Sequence, residues 1–532
     1  MSNTVLLPDE QMIHRTIIHF PFCCQTSILH MKNHVLLACT VLLLLAQSCR
    51  KTEEAAIAAN NGATTTPRSL SAIFTNALGS IDNGNYADPW VIKVGSTYYY
   101  CGSDGGRLWI TQSATLENIL KPAKTYIFTP PAGTGYSSDL WAPELHFLGG
   151  HWYVYFAADN GNNDNHRMHV LEGGTDPNNP LNGSYTYKAR LAAATDRWAI
   201  DGSPFTYNGQ TYFVWSGWEG TTNVSQYLYI AAMSNPYTIS GDRVEISRPD
   251  YAWEKVGSPT VNEGPEVLVS GTTISVIYSA SGSWTNDYCL GRLTCTNGNV
   301  MSKASWTKGA TPAFSQFGNV YGPGHASFVQ SPDNIQWWIV YHAANSNGSG
   351  WDRRIMIQQF AWDGNTPYFG YPIEKGIPIP APSINASYAM PIANGTYRIK
   401  SKVTGQCVDV PSGTATPGTQ IQEWTDNGNI AQKWTFTSLG NGYYKIKAAV
   451  NGLCLDDAGA SLSAGNILIQ WNDIGGSAQE WRVQDMGGGY FKIINHRSLL
   501  ALNVPNSNTT PGTKLEQWYE NQYDAELWSI VP

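Results

Sequence analysis

Five residues that can carry or exchange a proton each stand just before a short strand-like segment of the chain. Four carboxyl side chains brought together in one partly desolvated cleft would push each other's pKa values apart. One of them can then stay protonated as a general acid while another stays ionised as a general base. Taken singly, an Asp before Pro or a Glu before Gly-Pro commonly does no more than begin a turn, but five in phase favour a shared site. The five residues are Asp88, Glu144, Asp201, Glu263 and His325.

The segments that follow these residues share one plan, which predicts the fold that positions them. Each has a short strand, a Gly or Asn turn, and an aromatic strand that ends in small residues. Five similar sheets in roughly 300 residues indicate radial repetition, which leaves only short, protected sheet edges. We therefore predict an all-β protein that begins with a five-bladed β-propeller, with a large β-sandwich as the alternative. The segments are Trp90 to Ser103, Glu144 to Asp159, Ser203 to Gly217, Pro265 to Ser281 and Ala326 to Ala344.

A second, stricter repeat occupies the C-terminal part of the chain. Three tryptophans, Trp434, Trp481 and Trp528, are each 47 residues apart, and three repeats of that length suit a β-trefoil. The same step of 47 residues connects three further sets of positions. These are Trp424, Trp471 and Trp518; Asp409, Asp456 and Asn503; and Gly418, Gly465 and Gly512.

The repeated Asp and Trp predict sugar binding by the second domain. An aromatic ring can cover the apolar C–H face of a sugar while a carboxylate accepts hydrogen bonds from its hydroxyl rim. We expect one site formed by Asp409 with Trp424 and another formed by Asp456 with Trp471. Asn503 replaces the acid in the third copy, which makes a third site doubtful.

The composition is that of a turn-rich, aromatic β protein with two or three domains. The 532 residues include 20 Trp, 29 Tyr and 51 Gly, and only 14% are charged. A net charge of -8 argues against a nucleic-acid partner. No spacing of Cys and His suggests zinc, while Cys289 and Cys295 could pair as a disulfide.

The N-terminal region predicts export. Residues 31–49 open with Met31 and Lys32, continue through an apolar run and stop at a Cys, as a signal peptide does. Cys49 follows a small residue and resembles the lipidated Cys of bacterial lipoproteins, with plain secretion as the alternative. We therefore expect a cell-surface lipoprotein, a periplasmic protein or a secreted one, in contact with a membrane only through a lipid anchor.

These features set the predicted domain boundaries. Residues 1–30 are an extension before the signal, because Met31 can serve as the start. Residues 50–75 have no apolar period and are predicted to be a flexible linker. The propeller is assigned to residues 76–382, a Pro-rich linker to 383–392 and the trefoil to 393–532.

Five motifs of the first domain, in order and at fitting spacing, resemble glycoside hydrolase family 43. They are Ala-Asp-Pro, Trp-Ala-Pro-Glu, Ile-Asp-Gly-Ser, Glu-Gly-Pro and Gly-Pro-Gly-His, within about residues 85–375. The resemblance implies a five-bladed propeller that hydrolyses glycosidic bonds with inversion, for which two carboxyls must lie roughly 6.5–9.5 Å apart. It implies Asp88 as general base, Glu263 as general acid and Asp201 as the residue that orients the acid and raises its pKa. Glu266 is the neighbouring alternative to Glu263.

The same resemblance implies further contacts to substrate. His325 matches a family histidine at the channel centre, so no cofactor is required but a calcium or sodium ion held through water has a place beside it. A bonded core histidine is the alternative. Arg353 matches a family arginine that faces the sugar, and the pattern leaves Arg354 open as well. Substrate contacts are also expected from Trp90, Trp141 and Glu144.

Within the family, three phrases most resemble exo-acting α-L-arabinofuranosidases, which implies action on arabinan or arabinoxylan of the plant cell wall. They begin at Met168, Trp215 and Tyr278. A β-xylosidase on the same scaffold is the nearest alternative, and a non-catalytic surface lectin is the alternative of another class. The C-terminal repeats resemble ricin-type β-trefoil lectins and carbohydrate-binding module family 13, on Gln432-Lys433-Trp434 and Gln479-Glu480-Trp481.

Overall fold

The computed structural model describes residues 73–382, 390–440 and 442–532. The predicted extension, the signal with Cys49, and the linker up to residue 72 lie outside the described residues. Within them the protein is all-β, as predicted, and short 3₁₀ turns are the helical elements present. None of the helical elements in these three ranges is long and apolar enough to cross a membrane.

The first domain consists of short strands that follow one another closely along the chain. They are β1 (Ile73–Thr75), β2 (Trp90–Val94), β3 (Thr97–Ser103), β4 (Leu108–Ser113), β5 (Thr125–Phe128), β6 (Ser138–Leu148), β7 (His151–Asp159), β8 (Arg167–Glu172), β9 (Thr186–Leu191), β10 (Ala199–Tyr207), β11 (Gln210–Trp218), β12 (Ser225–Asn235), β13 (Thr238–Ser247), β14 (Thr260–Ser270), β15 (Thr273–Ala280), β16 (Cys289–Cys295), β17 (Thr307–Lys308), β18 (Tyr321–Gln330), β19 (Trp337–Ala344), β20 (Arg353–Asp363), β21 (Thr366–Tyr368) and β22 (Pro378–Pro380). Its 3₁₀ turns are Leu116–Asn118, Asn163–Asn165, Ala252–Glu254 and Lys303–Ser305.

These strands form antiparallel sheets in chain order. Strands β2–β5, β6–β9 and β18–β21 each make a four-stranded sheet. Strands β10–β17 make one eight-stranded sheet, in which β12 and β14 are joined by a short parallel pairing of Ser225 and Gln226 with Thr260 and Val261. Apart from that pairing, each sheet is a meander, as alternating strand and turn patterns predict.

The inner strands carry the same irregularity at the same place. In β6, β10, β14 and β18 the antiparallel register shifts near the strand start, which is a β-bulge. One residue at each shift has a left-handed backbone, and a fifth such residue precedes β2. These residues, with their φ values, are Asp88 (48°), Ala142 (41°), Asp201 (54°), Gly264 (52°) and His325 (45°).

Close packing around the bulges explains one of the motif glycines. A Cβ atom on Gly324 would lie 2.2 Å from the ring of Tyr288, which is fully buried. Glycine therefore stands before His325 because the Tyr288 ring fills the space that any side chain would need. Close approach also occurs within a sheet: a Cβ atom on Gly102 of β3 would lie 2.4 Å from the ring of Trp109, its partner on β4.

The boundaries of the first domain differ from the predicted ones at both ends. Residues 73–75, predicted as linker, form β1 and pair with Pro378–Pro380 of β22. The chain ends of the domain are thus tied together by backbone hydrogen bonds, which composition does not reveal. Ile392, predicted as linker, is buried in the core of the second domain.

The second domain continues with twelve short strands, counted within the described residues. They are β23 (Gly395–Ser401), β24 (Cys407–Asp409), β25 (Gln422–Trp424), β26 (Trp434–Ser438), β27 (Tyr443–Ala448), β28 (Cys454–Asp457), β29 (Leu468–Trp471), β30 (Glu480–Gly487), β31 (Tyr490–Asn495), β32 (Ala501–Asn503), β33 (Glu516–Trp518) and β34 (Trp528–Val531). Its 3₁₀ turns are Pro411–Gly413, Ile430–Gln432, Ala458–Ala460, Ser477–Gln479, Pro505–Ser507 and Asp524–Glu526.

The three tryptophans that recur every 47 residues lie in the core of this domain. All three are fully buried, and each indole N–H donates to the carbonyl oxygen of the residue before the repeated Asp or Asn. The pairs are Trp434 with Val408 at 2.9 Å, Trp481 with Leu455 at 3.0 Å, and Trp528 with Leu502 at 3.0 Å. A buried indole needs such a partner, so the same bond recurs in every repeat.

The two domains contact each other directly. Arg497 Nη1 lies 2.9 Å from Asp363 Oδ1, and the rings of Phe317 and Tyr519 are 4.5 Å apart. The trefoil therefore rests on the last sheet of the first domain through both apolar and charged contacts.

The predicted disulfide between Cys289 and Cys295 is wrong. Both residues are buried free thiols at opposite ends of β16. An extended strand of this length holds its ends about 20 Å apart, whereas the Cα atoms of a disulfide lie within about 7 Å.

Candidate active site

The bulges place the predicted site residues in two layers along the inner strands. The bulge layer contains the left-handed residues and the residues just before them, which include Glu263 and its equivalent on β6, Trp141. The second layer contains the residue two positions after each left-handed one. Its members are Trp90, Glu144, Ser203, Glu266 and Ser327.

Asp88 lies in the bulge layer among positively charged and imidazole groups. Its Oδ1 atom is 3.3 Å from His325 Nδ1, 3.4 Å from His342 Nδ1 and 3.4 Å from Arg353 Nη1. Burial raises the pKa of Asp88, but His325, Arg353 and His342 outweigh that effect and hold the pKa well below its usual value. Asp88 is therefore ionised throughout the neutral range.

His342 is a member of the site that sequence patterns missed. It is fully buried, and its Nδ1 accepts a hydrogen bond of 3.1 Å from the Asp88 backbone N–H. Burial and the nearby Arg353 lower its pKa to about 3, so the ring is neutral. His342 lies inside an aromatic strand and has no motif of its own, which is why the sequence gives no signal for it.

Asp201 and Glu263 are joined through the backbone of the neighbouring bulge. Asp201 Oδ2 accepts a hydrogen bond of 3.1 Å from the Gly264 N–H. Burial raises the pKa of both carboxyls, to about 7 for Glu263, and the charge of Asp88 adds to both increases. The pair thus retains a proton near neutral pH, because two buried carboxylates in one cluster cannot easily both ionise.

Tyr288 is a second residue that the sequence reading missed. Its hydroxyl donates a 2.8 Å hydrogen bond to Glu263 Oε1, and its ring stacks on His342 with centroids 5.5 Å apart. The bond lowers the pKa of Glu263 against the larger effect of burial. Tyr288 therefore both orients the Glu263 carboxyl and lowers its pKa.

Glu266, the alternative to Glu263, lies in the second layer. It is buried, it accepts a 3.5 Å hydrogen bond from Ser203, and it shares a hydrogen bond with Glu144. Burial and Glu144 raise its pKa well above the usual value. Glu144 in turn contacts His146 Nε2 at 2.9 Å. The two glutamates have different neighbours. Glu263 adjoins Gly264, whose N–H donates to Asp201, whereas Glu266 contacts Ser203 and Glu144.

The two tryptophans predicted to contact substrate occupy different layers. Trp90 is in the second layer, where its indole N–H donates to the Leu145 carbonyl at 2.9 Å and its ring packs on His146. Trp141 is in the bulge layer with 36% of its surface exposed. Trp141 is thus the better placed of the two to contact a ligand.

The two adjacent arginines point to different partners. Arg353 is mostly buried and reaches Asp88, whereas Arg354 pairs with Asp352 at 2.7 Å. Successive residues of a strand face opposite sides, so Arg353 lies toward the bulge layer and Arg354 away from it.

The residues around His325 do not form a direct metal site. Among the described residues, no three His, Cys, Asp or Glu side chains are grouped to hold a metal ion. His325 Nδ1 faces Asp88 and lies 4.0 Å from Asp201 Oδ2, and its backbone N–H donates to Ser279 at 2.7 Å.

The first two sugar sites predicted in the trefoil have their acids in place. Asp409 Oδ2 accepts a 2.9 Å hydrogen bond from Gln422 Nε2, and Asp456 accepts one from Gln479. Both acids are buried rather than exposed, with 6% and 4% of their surface accessible. Trp424 beside the first remains partly exposed.

The third copy contains an acid in a different place. Asn503 Nδ2 donates a 2.9 Å hydrogen bond to Glu516 Oε1, so acid and amide have exchanged strands relative to Asp409 and Gln422. Trp518 and the exposed Tyr523 line the same cavity, which has a volume of about 380 Å³. Glu516 thus supplies a carboxylate to the third copy, although Asn503 replaces the repeated Asp.

The repeated glycines support the exposed tryptophans. A Cβ atom on each glycine would lie 3.2–3.4 Å from the indole of another repeat. Each tryptophan edge therefore packs across a repeat boundary, while the rest of the ring stays accessible. The pairs are Gly418 with Trp471, Gly465 with Trp518 and Gly512 with Trp424.

Comparison with known families gives one match for each domain. The profile described as Glycosyl hydrolases family 43 matches residues 79–367, which is more than half of the chain and contains the whole bulge layer. The profile described as Ricin-type beta-trefoil lectin domain-like matches residues 385–471, 430–518 and 477–532.

Similar proteins carry names that agree with the first match. An extracellular exo-α-(1→5)-L-arabinofuranosidase of Streptomyces avermitilis is 37% identical over 59% of this chain and 66% of its own length. An α-L-arabinofuranosidase 43 of Humicola insolens is 34% identical over 63% of this chain and 71% of its own length. The crystal structure of an α-L-arabinofuranosidase from Lactobacillus brevis, 31% identical, superposes with a TM-score of 0.51 over 55% of this chain and 96% of that one. The chain thus spans about two thirds of the length of the curated relatives.

Proposed function

Because the chain belongs to glycosyl hydrolases family 43, an inverting hydrolase family, we propose that it removes terminal α-L-arabinofuranosyl groups from arabinan or arabinoxylan. The observation that carries the proposal is the pair of opposite pKa shifts of two carboxyls in one layer. The pKa of Asp88 is lowered, whereas that of Glu263 is raised to about 7. A hydrolase that inverts needs such a pair of one ionised and one protonated carboxyl, and a non-catalytic lectin has no use for it.

In the proposed reaction each carboxyl has one role. Asp88, ionised beside Arg353, takes a proton from the water that attacks the anomeric carbon. Glu263 gives its proton to the oxygen of the leaving group as the glycosidic bond breaks. Asp201 acts through Glu263, because its bond to the Gly264 N–H fixes the bulge that carries the acid. No covalent intermediate forms, so the anomeric configuration inverts.

We also propose that the five left-handed residues at or before the inner strands mark five propeller blades. Three of the blades would be the four-stranded sheets, and the other two would be the halves β10–β13 and β14–β17 of the eight-stranded sheet. The bulge layer would then ring the central channel, and each blade would contribute one left-handed residue to it.

Export and attachment to substrate complete the proposal. The N-terminal signal would deliver the enzyme to the cell surface through lipidated Cys49, or into the periplasm or medium. The trefoil would hold the enzyme on plant cell-wall polysaccharide, and the exchanged pair of Asn503 and Glu516 supports a third binding site beside the first two. An ion held through water near His325 remains part of the proposal without a role in the chemistry.

A panel of nitrophenyl glycosides tests the substrate. We expect hydrolysis of the α-L-arabinofuranoside to exceed that of the β-D-xyloside, and release of arabinose from branched or linear arabinan. The full-length protein is assayed at equal concentrations of each glycoside. Preferential cleavage of the xyloside would replace the proposal with the β-xylosidase alternative.

The pH profile tests the role of Tyr288. Glu263 must be protonated to act, so kcat/KM should fall as pH rises through its pKa of about 7. Tyr288→Phe removes a bond that favours the Glu263 carboxylate, so the pKa should rise and the alkaline limb should move up by on the order of one pH unit. A limb that stays in place or moves down would show that Glu263 is not the group that titrates. Tyr341→Phe, another buried tyrosine with no contact to the acids, is the matched control.

A further inference from the structure

Trp141 rests on a histidine that no motif predicted. Its indole ring stacks on the imidazole of His166, with centroids 4.0 Å apart and planes 24° apart. His166 is fully buried, whereas Trp141 keeps 36% of its surface exposed. One face of the indole is thus fixed from inside the protein while another part of the ring remains open to a ligand in the bulge layer.

Both ring nitrogens of His166 face oxygen atoms. Nδ1 lies 3.0 Å from Asp159 Oδ2, and both side chains are fully buried. Nε2 lies 3.0 Å from the Asp139 carbonyl oxygen. A neutral imidazole has one N–H, and the carbonyl requires it at Nε2. The contact with Asp159 is therefore a hydrogen bond only if a second proton is present between Nδ1 and Oδ2.

Nδ1 and Oδ2 approach each other at a fully buried site, where a polar atom left without a partner is destabilising. Burial lowers the pKa of the His166 imidazole, and the charge of Asp159 opposes that effect. The remaining Asp159 oxygen accepts a 2.8 Å hydrogen bond from the Gly161 N–H, which holds the carboxyl beside the ring.

The pair is also tied to the strand that carries Asp201. The His166 carbonyl accepts a 3.3 Å hydrogen bond from the Ala199 N–H, two residues before Asp201 on β10. The Asp139 carbonyl that receives Nε2 belongs to β6, the strand of Trp141. His166 thus links the exposed indole on one inner strand to the proposed orienting residue on the next.

We propose that Asp159 and His166 form a positioning pair that fixes the indole plane of Trp141 as a wall for the apolar face of the substrate's arabinofuranosyl group. The inference rests on the proposed function, because it takes Trp141 as part of the substrate site. An aromatic wall contacts substrate and transition state alike. Its misplacement should raise KM while kcat changes little.

A double-mutant cycle in the full-length protein tests this pair. His166→Phe keeps a ring under the indole but removes both hydrogen bonds, and Trp141→Ala removes the wall. Each single variant should raise KM for nitrophenyl α-L-arabinofuranoside by about 3- to 10-fold, the worth of one aromatic contact. In the Trp141→Ala background, His166→Phe should add almost nothing, because the two changes remove one interaction. Equal effects of His166→Phe in both backgrounds, or an unchanged KM, would overturn the proposal.

Matched variants separate positioning from folding. His169 is a buried histidine three residues after His166, on β8, and contacts the Tyr187 hydroxyl; His169→Phe should leave KM unchanged. The two Asp159 variants differ in hydrogen bonding. Asp159→Asn presents an amide N–H donor to Nδ1, whereas Asp159→Leu presents none. Asp159→Asn should therefore raise KM less than Asp159→Leu. If His166→Phe fails to fold, the proposal is tested by the two Asp159 variants instead. It is overturned if Asp159→Leu does not raise KM more than Asp159→Asn. Absence of any arabinofuranosidase turnover by the wild type would instead refute the proposed function.

Discussion

Replacing Asp88 by Asn, or Glu263 by Gln, is expected to lower kcat on an α-L-arabinofuranoside by about 10²–10⁴-fold. Either change removes the group that accepts or gives the proton while keeping the size of the side chain. Asp88 also contacts the Arg353 guanidinium and two buried histidines, so unfolding midpoints must be compared with those of the wild type. The measurement is steady-state hydrolysis of the nitrophenyl glycoside.

Glu266→Gln is the matched control for this prediction. Glu266 is buried and hydrogen-bonded to Glu144, and its raised pKa keeps it protonated. A glutamine can make the same kind of neutral hydrogen bond, so activity should stay within a few-fold of the wild type. If Glu266→Gln is inactive and Glu263→Gln is active, the general acid has been assigned to the wrong glutamate.

Removing the three trefoil acids together is expected to abolish retention on insoluble arabinoxylan. The variant combines Asp409→Asn, Asp456→Asn and Glu516→Gln, which delete each carboxylate but keep a hydrogen-bonding side chain of similar size. Several weak sites on one polymer bind up to about 10²–10⁴-fold more tightly than one site alone. The triple variant should therefore lose far more retention in a pull-down than any single variant.

Two controls show whether the loss belongs to sugar binding. Asp426→Asn changes an acid of the first repeat that pairs with Arg398 and Lys400 at the surface, and it should not alter retention. Hydrolysis of the small nitrophenyl glycoside should be the same in all variants. Retention that survives the triple change would make the trefoil a structural appendage.

Short motifs predicted the acids because each motif encodes its own backbone geometry. Asp201 and Gly264 occupy left-handed positions in the bulges, and Asp88 occupies one just before β2. Asp and Gly are favoured at such positions. The sequence pattern and the structure therefore agree at the positions that define the bulge layer. The 47-residue step likewise predicted the trefoil, because each repeat supplies one equivalent tryptophan to a common core.

Residues that reach the site from other strands could not be predicted in this way. His342, Tyr288 and His166 lie on aromatic strands or in loops, where they resemble ordinary core residues. Their roles depend on which strand packs beside which, and that is set by sheet register rather than by neighbouring sequence. The exchange between Asn503 and Glu516 was missed for the same reason, since each residue alone departs from the repeat and only the pair restores it.

The configuration of the first sugar released tests the account most directly. Proton NMR follows hydrolysis of nitrophenyl α-L-arabinofuranoside by the full-length wild type, sampled before the free sugar mutarotates. Direct displacement by a water on Asp88, with Glu263 as acid, predicts that β-L-arabinofuranose appears first and the α-anomer only later. Initial release of the α-anomer would contradict the account, because retention requires a covalent intermediate that the proposed roles do not form.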